Sequence, residues 1–241
     1  MELLLHCGAA VVGRDFLAQV KTPDPTNSWS PIDHFDFLRI VENALTKEGL
    51  KTGEEAHALT KDNNRYFGVL EVLRTSNALG YSRVLGLRNS HDKSISAGIV
   101  AGASVFVCDN LSFSGEVNIL RKHTSQLNRD ISPLADMAIQ QLLEHWDYQD
   151  RRIKTYQGFV LNDSQVHDLV IQATDANVCP NRMIPHVLKH WRSPAYSDFE
   201  ERTAWSLFNG FTQALKGNLT ELPSRTIRLH DLFDRHVGLL S

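Results

Sequence analysis

The sequence predicts an α+β fold, and three observations carry that expectation. Strand-like apolar runs with turn signals between them gather in about residues 50–120. A helical period takes over from Pro133 onward, and one separate helical run stands before the strands, starting at His34. Strands grouped in the middle with helices grouped after them argue against an alternating parallel-sheet fold. The expected architecture is an antiparallel β-meander over about residues 50–120, packed against an N-terminal helix and a C-terminal helical layer.

Residues 1–33 form an apolar opening and then a proline-rich arm. The stretch TPDPTNSWSPID holds three prolines and several turn formers, so it reads as extended, with Trp29 anchoring it to the body. Asp33 is the expected cap of the first long helix, in which Leu38, Val41 and Leu45 recur at helical spacing and Gly49 is the stop. The period then changes. Residues 56–60 and 66–72 flank an Asp/Asn-rich turn and read as a hairpin. Further strands are expected at 83–87, 95–100 and 105–108, with a turn at Gly102 between the last two. Ser132 and Pro133 then look like the start of one helix reaching about residue 157. Asp163 or Ser164 caps the next helix. Pro180 and Pro185 bracket a short one, Asp198 begins another that ends at Gly217, and a last helix covers about 225–237. There is no internal repeat. Residues 34–241 are expected as one α+β domain, with a possible boundary near 125–132.

Composition narrows the function classes. Apolar residues at 42% and charged residues at 22% exclude a disordered or low-complexity chain. The formal net charge is −3, and neither half is basic, which disfavours a duplex-DNA domain. Cys7, Cys108 and Cys179 are too few and too scattered for a disulfide framework, so a cytoplasmic setting is expected. No apolar run is long enough for a transmembrane helix, and no membrane partner is expected. Phosphate-cradling, dinucleotide and nucleophile-elbow signatures are absent, and the sequence names no cofactor.

One polar stretch stands out. Seven consecutive polar residues, Arg88, Asn89, Ser90, His91, Asp92, Lys93 and Ser94, sit between two apolar strands. As a site, this is a polar loop on a rigid sheet. As structure, it is a turn closed by side-chain-to-backbone bonds, in which Asp92 bonds the His91 imidazole or caps the turn. Cys108, Asp109 and Asn110 close a later strand, and His123 follows the basic pair Arg121 and Lys122. A nucleophilic Cys108 would need a base such as His91 or His123 beside it. Cys179, His186 and His190 have ligand chemistry but no zinc-like spacing, so no metal site is assigned. His230 and His236 read as surface histidines. The stripe Trp205, Leu207, Phe208, Phe211 and Leu215 reads as core, and Arg202 before it is placed to pair with a carboxylate.

These motifs resemble a known family. LGLRNSHDKS, VFVCDNL, RKHT and RTAWSLFNGFT are similar to elements of the domain of unknown function 932 family, also labelled phage/plasmid-like protein. The resemblance covers about residues 34–217 and departs at Lys93, where the family pattern has glycine. It implies occurrence in phages, plasmids and mobile islands. The expectation that follows is a non-catalytic nucleic-acid-associated protein, binding or annealing single strands as a homo-oligomer. Arg88, Lys93, Arg121, Lys122 and His123 would contact phosphates, and Tyr66 or Phe67 would stack on bases. One alternative is a metal-assisted enzyme centred on His91, Asp92, Cys108, Asp109 and His123, which must then converge. A second is an anti-defence or other protein-binding factor.

Overall fold

Six antiparallel strands in sequence order form the sheet, β1 (Ala9–Val12), β2 (Lys51–Thr60), β3 (Arg65–Leu73), β4 (Tyr81–Ser90), β5 (Ala97–Val105) and β6 (Leu111–Arg121). The structure is a computed structural model that describes residues 9–73, 81–105, 111–216 and 221–240, with backbone alone at 103–105 and 111–117. The α+β class and the meander are as expected. Eight helices are described, α1 (Arg14–Leu17) and α2 (His34–Lys47) before the meander and α3 (Leu127–Glu144), α4 (Trp146–Gly158), α5 (Asp163–Asp175), α6 (Ile184–Arg192), α7 (Ala204–Leu215) and α8 (Leu222–His236) after it. Contacts divide the chain into two units, residues 1–103 with 115–144, and 104–114 with 145–241.

In the first unit, α2 forms because its apolar positions share one face. His34, Phe37, Leu38, Val41, Ala44 and Leu45 are buried and lie at helical spacing. Asp33 caps it, accepting from the amides of Phe35 (2.8 Å) and Asp36 (3.1 Å), while Thr22 in the arm donates to its other oxygen (2.7 Å). The helix ends where Gly49 takes φ +70°, a left-handed geometry that glycine adopts freely. The β2–β3 turn is built by Asp62, which accepts from Thr60 and Asn64, with Asn63 at φ +56°.

The register places Leu59, Tyr66 and Asn89 side by side across β2, β3 and β4. Successive residues alternate faces, so Tyr66, Gly68 and Leu70 share one face, and His34 of α2 lies on it with its ring 5.6 Å from that of Tyr66. Tyr66 lies flat over Gly68, where a Cβ would meet its hydroxyl at 2.3 Å. That hydroxyl donates to His57 Nδ1 (3.0 Å), and His57 Nε2 lies 3.3 Å from Glu55. Arg14 closes the chain by binding Glu55 and Glu42, which ties α1 and α2 to the sheet. Burial works against the charged form of His57, and Arg14 holds the Glu55 carboxyl below its ordinary range.

In the second unit, α7 is the central rod. Every residue from Ala204 to Thr212 is buried, and α4, α6 and α8 pack on it. Tyr156, Phe208, Phe211 and Phe233 form an aromatic cluster with centroids 5.4–6.1 Å apart. Within it Arg152 pairs with fully buried Asp234 (2.8 Å), which also accepts from Tyr156 (2.6 Å). At the surface, Arg202 pairs with Asp163, a carboxylate partner of the kind expected.

Several expectations need correction. The strand β5 runs through Gly102 without a turn, because the two apolar runs on either side form one extended segment. Pro133 lies inside α3 rather than at its first position, since the helix already starts at Leu127. The single helix expected to reach residue 157 is broken at His145, whose φ −92° and ψ 0° leave the helical basin. Asp198 belongs to a one-turn helix, Ser197–Phe199, and Thr203 caps α7 by accepting from Ser206. His230 is buried, 2% exposed, because it shares the inner face of α8 with Thr226, Leu229 and Phe233. β1 and α1 were not anticipated in the apolar opening.

Removing one member of a buried ion pair strands the other charge. Asp234→Ala is expected to destabilise the protein by about 3–5 kcal/mol, and Tyr156→Phe by about 1 kcal/mol, in chemical denaturation. Equal and small effects for both would contradict the pairing.

Candidate functional site

The polar stretch of the sequence splits in two. Asn89 and His91 turn inward, and Asp92, Lys93 and Ser94 turn outward. The inward half centres on Asn89, which is 0% exposed. Its Nδ2 donates to the Ile32 carbonyl (2.9 Å) and to His34 Nδ1 (2.9 Å), and its Oδ1 accepts from His123 Nε2 (2.7 Å). His91 Nε2 donates to the same Ile32 carbonyl (2.9 Å). His34 Nε2 donates to the Asn63 carbonyl (3.1 Å), and the rings of His34 and His91 stack 3.8 Å apart at 5°.

These partners fix the proton positions. A carbonyl accepts only, so His34 and His91 each carry hydrogen on Nε2. An amide Nδ2 donates only, so His34 Nδ1 holds a lone pair. Asn89 Oδ1 accepts only, so His123 is also protonated on Nε2. Three imidazoles and one carboxamide are thereby joined in a single network. Burial pushes the proton affinity of all three rings down, and with the added effect of neighbouring His91 the pKa falls to about 3 for His34 and about 4 for His123.

The outward half is a closed turn. Ser90 donates to the Ile95 carbonyl (2.7 Å) and accepts from the Ile95 amide (3.3 Å). Asp92 accepts from the Ser94 amide (2.9 Å) and from Arg65 (2.9 Å), so it caps the turn and makes no bond to His91. The His91 amide donates to the Asn64 carbonyl (2.7 Å), joining this turn to the β2–β3 turn. Lys93 holds φ +66°, in the left-handed region, and its ammonium lies 4.9 Å over the Trp29 ring.

Of the residues singled out, Asn89, His91 and His123 are brought together. Ser90 and Asp92 serve the turn. Cys108, Asp109 and Asn110 lie outside the described residues. Arg121 is paired with Asp130 (2.5 Å), Lys122 is exposed, and Arg88 is half-buried, where desolvation lowers its proton affinity. Tyr66 and Phe67 are buried, 0% and 6% exposed, so neither is available to stack on a base. Both sit on a strand whose two faces are covered, which alternation alone does not reveal. The sequence reading missed His34. Its signal was present, because a histidine directly after the cap occupies the apolar face defined by 34, 37, 38 and 41. Among the described residues, no three His, Cys, Asp or Glu side chains are grouped to hold a metal ion, and no helix is long and apolar enough to cross a membrane.

A histidine held neutral by the fold gives the unfolded chain the higher proton affinity. Stability is then complete above about pH 6.5 and falls as pH drops toward each folded value, with a slope of about 1.4 kcal/mol per pH unit for each ring. His123→Gln keeps an N–H donor for Asn89 and removes one titrating ring. It is expected to flatten the loss of stability between pH 6 and 5 by about that slope, measured by denaturation at each pH. An unchanged slope would contradict the burial of a neutral His123.

The comparisons with known proteins bear on identity alone. No curated protein and no solved structure matches the chain. The profile of one family, described as Domain of unknown function (DUF932), matches residues 25–231. That match spans the arm, the sheet and nearly all of the helices, and the chain belongs to this family.

Proposed function

We propose that this protein is a non-catalytic single-strand nucleic-acid-binding protein, acting in the cytoplasm, whose contact surface is the rim outside the Asn89 network. The observation that carries the reading is Lys93 over Trp29. A left-handed backbone costs a side-chain-bearing residue about 1–2 kcal/mol relative to glycine. This chain keeps a lysine there, with its cation on an aromatic ring at the surface. Strain retained at one position is a pointer to function. A cation beside an indole is also the pair that a single strand uses, phosphate on one and base on the other.

The surroundings support the same reading. The Ser30 amide donates to the His123 carbonyl (3.2 Å), which brings exposed Lys122 close to Trp29 along the chain. Arg65 and Arg129 are 45% and 73% exposed even while paired with Asp92 and Asp130. The indole nitrogen of Trp29 is buried and makes no hydrogen bond. Trp29 thus takes the stacking role that buried Tyr66 and Phe67 cannot fill. Each neutral group of the network holds the arm without adding charge to the rim. The net charge of −3 makes the affinity modest, and side-by-side copies on one strand supply the remaining cations.

The test is fluorescence anisotropy with a labelled oligothymidylate at about 50 and about 200 mM salt. Saturable, salt-dependent binding is expected. Trp29→Ala should weaken it by a factor of about 5–150, and Lys93→Gly should reduce the salt slope by about 0.7 while changing stability by less than about 1 kcal/mol. Absent binding at low salt, or binding that neither substitution alters, would overturn the proposal.

A further inference from the structure

Residues 176–197 contain no Asp or Glu, yet they hold Arg182, His186, Lys189, His190 and Arg192. In a chain of net charge −3 this is a local excess of cations. The structure sets it on one rigid element of the second unit. The one-turn helix Asn181–Met183 runs into α6, and Val187 and Trp191 are buried one turn apart on its inner side. Gly210 of α7 lets the two helices approach closely, since a Cβ there would sit 3.5 Å from both His190 Cβ and the Val187 carbonyl. Arg182, His186, Lys189 and Arg192 recur every three or four residues on the outer side, and all four are exposed. At 1.5 Å per residue they make a stripe about 15 Å long. Among the described residues, no carboxylate pairs with any of the four.

Helix stability explains only part of the stripe. Cations in the last turn suit the negative end of the helix dipole, which accounts for Lys189 and Arg192. Arg182 lies before the first turn, at the positive end, where a cation is disfavoured. Lys189 and Arg192 are also three residues apart, a spacing at which like charges repel. Burial lowers the proton affinity of His190, and Lys189, His186 and Lys216 lower it further, as a positive field does. A surface aromatic adjoins the stripe. Tyr196 is 38% exposed, it lines the same shallow notch as His190, and its ring is braced edge-on by Phe199 at 6.3 Å.

We propose that this face of α6 is a second contact for single-stranded nucleic acid, with Arg182, Lys189 and Arg192 meeting phosphates and Tyr196 stacking on a base. Unpaired cations in a row with an aromatic ring at one end match a strand's phosphates and bases. An acidic polypeptide would use the cations and leave the ring idle. The inference rests on the strand-binding reading above, but it uses residues of the second unit alone.

Anisotropy of the full chain with labelled oligothymidylate, over the same salt range, tests this. The triple substitution Arg182→Gln, Lys189→Gln and Arg192→Gln should lower the salt slope by about 2, at about 0.7 per phosphate contact, and weaken low-salt binding about tenfold. Tyr196→Ala should weaken binding about fivefold or more, and Tyr196→Trp should preserve it. These side chains are exposed, so thermal unfolding of each variant should match that of the parent. If the triple substitution leaves slope and affinity unaltered while Trp29→Ala still weakens binding, this inference is overturned and the Trp29 reading stands. Absence of oligothymidylate binding at low salt would overturn both. Competition by poly-glutamate as strong as that by unlabelled oligothymidylate, or binding indifferent to Tyr196→Ala, would overturn the assignment of this face to a nucleic-acid strand.

Discussion

The Asn89 carboxamide joins three parts of the first unit that are far apart in the chain. Through its three hydrogen bonds it holds the arm at Ile32, the first turn of α2 at His34, and the residue two places beyond β6 at His123. A carboxamide suits this position because it has two donors and an acceptor in one plane and carries no charge. An aspartate there would present no donor to Ile32 and would bury a charge. The partners are likewise held neutral. Two stacked imidazoles 3.8 Å apart are tolerable as uncharged rings and would repel as imidazolium ions. The histidines are thus part of the packing, and their chemistry is restrained by it.

This separation of inner and outer faces frames the functional reading. The inward side chains of the polar stretch are spent on holding the arm, and the outward ones form a rim with exposed cations beside Trp29. The second unit follows a similar rule with different chemistry. There Asp234 is fully buried and is answered by Arg152 and Tyr156 among aromatic rings. Some buried side-chain nitrogens and oxygens in both units are without a hydrogen bond. Trp29 Nε1 is one of these, and it adjoins the surface proposed to bind a single strand.

Much of the fold was legible because its signals are local. Asp33 as a cap, Gly49 as a stop and the Asp62–Asn64 turn are written within a few residues of where they act, and the structure uses each of them in that role. The break at His145 was hidden because its neighbours are good helix formers on both sides. Pro133 misled because proline favours the first helical turn, and only the partners of the preceding residues show that the helix had already begun. The candidate site was half legible. A polar run between apolar strands marked Asn89 and His91, but their partners lie more than thirty residues away along the chain, at Ile32, His34 and His123. His230 shows the converse error. Read alone it is a surface histidine, and read with the period of α8 it belongs to the core.

The central claim is that three neutral histidines, each protonated on Nε2, are locked around Asn89. The most direct measurement is nitrogen NMR of the imidazole rings in labelled protein, followed from neutral to mildly acidic pH. The account predicts the Nε2–H tautomer for His34, His91 and His123, with His34 and His123 still uncharged at a pH about one unit below the ordinary histidine value. Imidazolium signals at that pH, or Nδ1–H tautomers at neutral pH, would contradict it.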